Sequence, residues 1–435
     1  MMRKSHQEIR ESLKMDKLLS LSRKDFEGIV DHRASNSQHL LPDVLMSGLA
    51  MFSLKYPSLL DFEQQTVAER ENLHHLFGVK RLCSDAQMRK ILDEVSPASI
   101  SELYPNLFKE LGRAGLVQSY HYWPKEIIVS VDGVTHFHSN KIHCDQCQCT
   151  QHRDGSISYS HSMLCAAMVH PQKREVFVMG SEPIIKTDGA KKNDCELNAA
   201  KRLVPWLSEH YPGQKFLLVE DALYANGPHL RQILEHQYHF IINVKPDSHK
   251  SLFNSFESRK ERKQTRTFSY RSQGYHHRFE FCNNLPLNGS AADLRVNFLL
   301  YEQQDPKGKT TRFTWISSRK LSRRNVDKVM RAARARWKIE NETFNTLKNQ
   351  GYHFEHNYGH GHKYLATVLA FLMLLAFLID QIVQACQKSF QKIWAALKTK
   401  AKLWSGIRAL FQVQIFNSFA ELYQNLARLY SVQIE

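Results

Sequence analysis

The stretch EIIVSVDGV, residues 126–134, sets the fold of the central part of this 435-residue chain. It is an apolar run that ends in the pair Asp132-Gly133. Two further strand-like runs follow it, SISYSHSMLCAAMVH (156–170) and EVFVMG (175–180). Turn residues separate the runs, so we expect three consecutive strands in an antiparallel meander.

Two helix–strand pairs follow the meander. The first helix carries Asn193 and Glu196 in a pattern that resembles a capping box. A strand that follows a helix favours a parallel edge added to the sheet. The resulting order of five strands resembles the ribonuclease H-like arrangement. The predicted elements are a helix at 193–211, a strand at 215–223, a helix at 226–237 and a strand at 239–246.

The flanking segments differ from this core in their sequence pattern. The first 115 residues read as helices, with Ser84 as an N-cap. Residues 251–320 alternate like strands of a separate β unit, and 325–349 form one long helix. We divide the chain into a helical N-terminal domain expected to bind DNA (1–115), the first part of the core (120–250), a β-rich insertion (251–320), the second part of the core (321–385) and a C-terminal helical tail (386–435).

The chain carries 59 Lys and Arg against 43 Asp and Glu, a formal charge of +16. Part of the positive charge is clustered, at 259–266, 319–324 and 331–336. Such clusters favour a polyanionic partner, most simply nucleic acid. The apolar stretch Leu365–Ile379 covers about 15 residues, short of the roughly 20 that a membrane span needs. We predict a buried core helix there.

Two acids stand at the ends of apolar runs, Asp132 in VSVDGV and Asp221 in LLVEDALYANG. A carboxylate at the end of a buried strand is desolvated unless it is paired or binds a cation. Alone, an Asp-Gly pair is also a common turn signal. Two such acids on neighbouring strands, with a third from a packed helix, would suit two divalent cations and phosphoryl transfer.

The third acid is chosen by helical phase in RARWKIENETFNTLK, residues 334–348. At about 100° per residue, Glu340 falls within the apolar stripe and Glu342 falls on the opposite face. We therefore predict that Glu340 points at the sheet and Glu342 at solvent. Arg336 and Lys348 flank the stripe and either contact DNA phosphates or balance charge. The stripe consists of Val326, Val329, Ala333, Trp337, Phe344 and Leu347.

These residues resemble the DDE transposases of the IS4 group of bacterial insertion sequences. That group carries a strand-end Asp-Gly, a second Asp followed by an aromatic, and Tyr-x2-Arg-x3-Glu-x6-Lys on a helix after a β insertion. The matching positions here are Asp132-Gly133, Asp221 with Tyr224, and Arg336 with Glu340. Two positions depart from the pattern: Ala333 replaces the Tyr, and Lys348 comes one residue late.

The resemblance spans roughly residues 126–380 and implies a mixed five-stranded α/β core with a β-rich insertion. It implies cleavage at the terminal inverted repeats with two Mg²⁺ or Mn²⁺ ions, then attack of the 3′-hydroxyl on target DNA. The catalytic and metal-binding residues would be Asp132, Asp221 and Glu340, and the DNA-binding residues Arg336, Lys348 and Tyr224.

The partners implied are double-stranded element ends and target DNA, with a dimer in the DNA complex and no membrane. The expected location is the bacterial cytoplasm, at the nucleoid. Two rival functions stay open: a catalytically inactive DNA-binding derivative, and a ribonuclease H-like nuclease without strand transfer.

A cysteine- and histidine-rich stretch, HCDQCQCTQHRDGSISYSH, covers residues 143–161. Cys-x2-Cys with a nearby His suits structural Zn²⁺, and reduced surface thiols are the alternative. The zinc set predicted from spacing is Cys144, Cys147, Cys149 and His152, with His161 nearby.

Three further features have open roles. The four His of loop 353–362 are expected to meet phosphate or solvent rather than metal. Lys186, Asp188 and Asp194 either line a DNA path or form a solvated connection. Trp315 and Trp337 could stack on a flipped base, although Trp337 lies in the apolar stripe and is expected in the core.

Overall fold

The computed structural model describes residues 5–34, 36–185 and 194–434. The first part is helical, and the N-cap predicted at Ser84 is confirmed by a capping box with Gln87. The helices are α1 (His6–Ser12), α2 (Met15–Glu27), α3 (Leu41–Ser53), α4 (Leu59–Glu63), α5 (Val67–Phe77), α6 (Asp85–Leu92), α7 (Pro97–Ser101), α8 (Leu103–Arg113) and α9 (Leu116–Ser119).

The central part contains the predicted strands and helices. They are β1 (His121–Trp123), β2 (Glu126–Ser139), β3 (Gln148–Gln151), β4 (Ile157–Val169), β5 (Phe177–Ile184), α10 (Glu196–His210), β6 (Lys215–Glu220), α11 (Gly227–Glu235) and β7 (His239–Asn243). β2, β4 and β5 pair antiparallel, and β6 and β7 add to β2 as parallel strands. Both predicted strand relationships are therefore confirmed.

The β-rich segment begins with a helix that the sequence pattern did not indicate. Its elements are α12 (Lys250–Glu261), β8 (Arg266–Ser272), β9 (Tyr275–Pro286), β10 (Arg295–Gln304) and β11 (Thr310–Ser317). The prediction of a separate β unit is wrong, because β11 pairs antiparallel with β7. Within the described residues, the strands thus form one 11-stranded, mostly antiparallel sheet.

The remaining elements are helical. They are α13 (Val326–Arg334), a π-helical turn (Ile339–Phe344), α14 (Asn345–Asn349), α15 (Leu365–Cys386), α16 (Lys388–Leu397), α17 (Lys400–Val413) and α18 (Phe419–Leu429). The predicted single helix over 325–349 is wrong, since two irregular turns interrupt it.

Helix α15 joins the parts of the molecule into one hydrophobic core. It has 22 residues and is long and apolar enough, by length and composition alone, to cross a membrane; its most apolar window is entirely buried within the protein. It packs against α3, α7 and β5. Near its end, the Asp380 carboxylate lies 2.7 Å from the Lys55 ammonium in a buried ion pair. The helix is buried, as predicted, and it extends well beyond the apolar run.

Candidate active site

Asp132 and Asp221 lie side by side at the centre of the sheet. On the parallel strands β2 and β6, Ser130 pairs with Val219, and each Asp stands two positions further along its own chain. Residues two apart on a strand share a face, so both carboxylates emerge on the face that Ser130 occupies. Asp221 lies just beyond β6, where its Oδ1 accepts a hydrogen bond of 2.8 Å from the Leu223 amide.

The electrostatics of this pair are unfavourable to two full negative charges. Burial raises the pKa of Asp132 to about 6; the Arg336 guanidinium opposes the rise, while Asp221 and Glu196 add to it by repulsion. Arg336 Nη1 lies 3.2 Å from Asp132 Oδ2. One arginine thus offsets only part of the charge of three neighbouring carboxylates.

Glu196 is a member of this cluster that sequence reasoning missed. It stands in the first turn of α10, and its Oε2 accepts a hydrogen bond of 2.9 Å from the Tyr224 hydroxyl. Its carboxylate fills the space where a Cβ on Gly133 would lie. Gly133 is therefore not a turn residue: β2 continues through it, and its missing side chain lets Glu196 approach the strand.

Two of the sequence predictions concern these residues. The capping box cannot be tested, because Asn193 lies outside the described residues; α10 begins at Glu196 after an N-cap at Cys195 that makes no side-chain cap hydrogen bond. Tyr224 is fully buried. It is therefore placed to hold Glu196 rather than to contact DNA.

The helix expected to carry the third acid is irregular around Glu340. α13 ends at Arg334, a turn follows at Ala335 and Arg336, and the π-helical turn covers Ile339–Phe344. The segment is fixed to the sheet because the Ser130 hydroxyl donates a hydrogen bond of 2.9 Å to the Arg336 carbonyl. A constant angle per residue does not hold across these turns.

The helical-wheel prediction consequently fails in the middle of the segment. Glu340 is exposed rather than directed at the sheet, and Trp337 is 43% exposed rather than in the core. Glu342 is half-buried rather than directed at solvent. Burial lowers the pKa of Lys400, and the nearby Glu342 carboxylate opposes part of that fall. Trp315 is buried. The wheel is right for Val326, Val329, Ala333, Phe344 and Leu347, which are all buried.

The π-helical turn explains why Lys348 comes one residue later than the Glu-x6-Lys spacing requires. A π turn takes one more residue than an α turn, and this one includes Glu340 and the four residues after it. One extra residue is the departure that the sequence shows from the Glu-x6-Lys spacing. The Lys348 ammonium lies on the surface, 3.0 Å from the Glu355 carboxylate.

The cysteine and histidine residues assemble in a different set from the one predicted by spacing. Cys149 lies on β3, and His152 Nε2 is 2.8 Å from the Ser158 hydroxyl. Neither belongs to the cluster, whereas a histidine expected to meet phosphate or solvent does. The four residues whose ligand atoms converge are Cys144, Cys147, His161 and His360.

The connection between β5 and α10 is described only in part. Lys186 and Asp188 lie outside the described residues. Asp194 lies at the edge of that connection and accepts a hydrogen bond of 2.8 Å from Arg202 Nη2. This contact favours a structural role for Asp194 over a DNA-lining one.

Comparison with known proteins gives one result that bears on this arrangement. The family model described as the transposase DDE domain matches residues 155–379. The chain belongs to the DDE transposase family. The matched range contains Asp221 and Glu340 and begins after the strand that carries Asp132. No curated protein matches the chain.

Transposases of this family use divalent metals, and the carboxylates of this chain can be tested against that need. Asp132 and Asp221 fit, because they are oxygen donors whose mutual repulsion a cation would relieve. Glu340 does not join them in a compact set: among the described residues, the only group of three or more ligand atoms within 4.8 Å is the Cys/His cluster.

Proposed function

We propose that this transposase cuts DNA at the terminal inverted repeats of an insertion sequence of the IS4 group and joins the 3′-hydroxyl ends to target DNA. The observation that carries the proposal is the Asp132–Asp221 pair on adjacent parallel strands, in a chain of the DDE transposase family. We infer that β5, β4, β2, β6 and β7 form its ribonuclease H-like core.

Asp132 and Asp221 would hold Mg²⁺ or Mn²⁺, two ions in all with the help of a third carboxylate and DNA phosphate. Such ions, when bound, activate the attacking oxygen and stabilise the leaving one. Arg336 would offset part of the negative charge of Asp132. Glu196, anchored by Tyr224, adds negative charge that strengthens cation binding.

We propose Glu340 as the third carboxylate. Its spacing from Arg336 fits the transposase pattern, and the π turn that contains it accounts for the extra residue before Lys348. Arg336 contacts Asp132, and Glu340 follows four residues later on the segment that the Ser130 hydrogen bond fixes to the sheet. Within the described residues, no ion pair or hydrogen bond fixes its carboxylate, so the side chain is free to turn towards the two Asp residues.

The DNA path would run along the basic cleft between the β-rich segment and α13. This cleft has a volume of about 500 Å³. Alternating basic and aromatic side chains suit a nucleic-acid backbone and its bases. We also assign DNA contacts to Trp337, Arg336 and Lys348, of which Trp337 and Lys348 are exposed. The cleft is lined by Arg331, Arg334, Lys338, Tyr270, Tyr275 and His277, among others.

Both the element ends and the target would be double-stranded DNA. Joining two ends to one target requires two active sites, so we propose a dimer in the DNA complex. The setting of this reaction would be the bacterial nucleoid.

A strand-joining assay tests the proposal. The substrates are a DNA end with the element's flanking inverted repeat and a target plasmid, with Mg²⁺ or Mn²⁺ present. Wild-type protein is expected to cut and join, and Asp132→Ala, Asp221→Ala and Glu340→Ala are expected to lose both steps. Glu342→Ala is the matched control, because it removes a carboxylate two residues away and should stay active.

The outcomes separate the rival functions. Cutting without joining by the wild type would indicate a nuclease, and binding without cutting would indicate an inactive derivative. Equal activity of all four variants would refute the catalytic assignment. Loss of activity in Glu342→Ala but not in Glu340→Ala would refute the choice of the third acid alone.

A further inference from the structure

The Cys/His cluster has the dimensions of a metal site. The two sulfur atoms of Cys144 and Cys147 are 3.9 Å apart. His161 Nε2 lies 3.4 Å from the first sulfur and 3.3 Å from the second. His360 Nε2 lies 3.2 Å from Cys147 Sγ and 3.1 Å from His161 Nε2. These five distances, with all four atoms within 4.8 Å of one another, enclose a small four-cornered space.

Tetrahedral zinc would require a tetrahedron of this size. Zn–S bonds of about 2.3 Å and Zn–N bonds of about 2.0–2.1 Å place two sulfurs about 3.8 Å apart, a sulfur and a nitrogen about 3.5 Å apart, and two nitrogens about 3.3 Å apart. The five distances given above agree with these values to within about 0.3 Å. Both the ligand types and their spacing therefore suit Zn²⁺.

Hydrogen bonding alone does not account for the same contacts. A neutral thiol has one proton to donate, yet Cys147 Sγ lies within 3.9 Å of three other ligand atoms. His360 Nδ1 lies 2.8 Å from the Gly361 carbonyl. That bond places the ring proton on Nδ1, so Nε2 offers a lone pair, as in metal-bound histidines. A cation between the four atoms satisfies them together.

The backbone around the two cysteines also favours a metal site. The Cys147 amide donates to the Cys144 carbonyl at 3.1 Å, which closes the Cys-x2-Cys segment into a turn. The Cys144 amide points at Cys147 Sγ from 3.5 Å, so it supports negative charge on that sulfur. Cys147, His161 and His360 are buried, which keeps water from the centre of the cluster.

We propose that this chain binds one structural Zn²⁺ through Cys144, Cys147, His161 and His360. Four protein ligands close a tetrahedral site, so no position remains for a substrate or an activated water. The site also lies away from the carboxylates: His161 pairs with Phe137, five residues beyond Asp132 on β2, or roughly 17 Å along the strand.

The zinc would tie two distant segments together. Three ligands come from β4 and the connection between β2 and β4, and the fourth comes from the loop that follows the Glu340 segment. The other side of that loop is already fixed, since the Asp93 carboxylate accepts hydrogen bonds from the amides of residues 362–365. A metal at His360 would complete the anchoring between the segment that carries Glu340 and the strand that carries Asp132.

Metal analysis of the full-length chain tests the proposal. Protein produced with zinc in the medium is analysed for metal, and Co²⁺ is exchanged into it to report the ligands by absorption. We expect about one zinc per chain and the intense visible bands and sulfur-to-cobalt charge transfer of a tetrahedral thiolate site. A chain that takes up neither ion would overturn the proposal.

Matched variants test the ligand set. The zinc affinity of Cys147→Ser and His360→Ala should be at least roughly tenfold lower than that of the wild type. Cys149→Ser and His152→Ala replace two residues chosen by spacing alone, and their zinc affinity should be unchanged. The reverse pattern would overturn the set. If the first two variants fail to fold, the cobalt spectrum of wild type decides, because an octahedral or thiolate-free spectrum excludes the proposed ligands.

Discussion

Replacing Asp132 by Asn should stabilise the metal-free protein, although it removes a residue proposed to be catalytic. In the wild type, burial and the neighbouring carboxylates of Asp221 and Glu196 make the charged form of Asp132 unfavourable. An amide of the same shape carries no charge and avoids this repulsion. The lost attraction to Arg336 is already included in the net rise of the Asp132 pKa.

The magnitude follows from that pKa. It lies at about 6 in the folded protein against an ordinary value of 3.8. Roughly two units at 1.36 kcal/mol each give up to about 3 kcal/mol. Because the folded pKa is the higher one, the carboxyl destabilises the protein progressively as pH rises from about 4 to about 6, and fully above that.

Chemical denaturation with EDTA present is the assay. At about pH 7.5 the Asn variant should unfold with a free energy up to about 3 kcal/mol higher than the wild type, and at about pH 4 the two should coincide. In parallel samples without EDTA, Mn²⁺ should stabilise the wild type more than the variant. A variant of equal or lower stability at about pH 7.5 would refute the idea of three mutually repelling carboxylates.

Glu302→Gln is a matched control for which we expect the opposite change in the free energy of unfolding. Burial raises the pKa of Glu302, but hydrogen bonds and attraction from Arg312 and Arg278 outweigh it and lower the pKa overall. Glu302→Gln should therefore lose stability near neutral pH. If both variants shifted in the same direction, the substitution itself rather than the local charge would be the cause.

Three more predictions concern Gly133, Asp380 and Trp337. Gly133→Ala should displace the Glu196 carboxylate and reduce strand joining about tenfold or more, measured against wild type with an unchanged circular dichroism spectrum. Asp380→Asn leaves the Lys55 ammonium buried without its counter-charge and should cost about 3–5 kcal/mol in denaturant unfolding. Trp337→Ala should change stability by no more than about 0.5 kcal/mol while weakening DNA binding in a gel-shift titration.

The sheet could be predicted from sequence because its signals are local. The strands β2, β4, β5, β6 and β7 are short apolar runs between turn residues, and the helices between them fix which strands run parallel. Asp132 and Asp221 could be assigned to neighbouring strands for the same reason, but Asp132 lies within β2, which runs on to Ser139, and only Asp221 follows the end of its strand. The extension of the sheet by β11 could not be predicted, because the sequence of a strand does not show which other strand it will pair with.

The remainder depends on contacts between distant residues. Glu196 is an ordinary first-turn acid until Gly133 leaves space for it. His360 follows His161 by 199 positions, so no spacing rule links it to the cysteines. The wheel failed at Trp337 and Glu340 because it assumed a regular helix, and the single surplus residue before Lys348 was the one visible sign of the π turn.

The central claim is that the Asp132 carboxylate binds the metal that drives DNA cleavage, and a change of ligand atom tests it most directly. Thiolate is a softer ligand than carboxylate and is tolerated less well by Mg²⁺ than by Mn²⁺. We predict that Asp132→Cys fails to join DNA ends in Mg²⁺ and recovers joining in Mn²⁺, while Glu342→Cys joins in both. Joining by Asp132→Cys at the wild-type rate in Mg²⁺ would contradict the account.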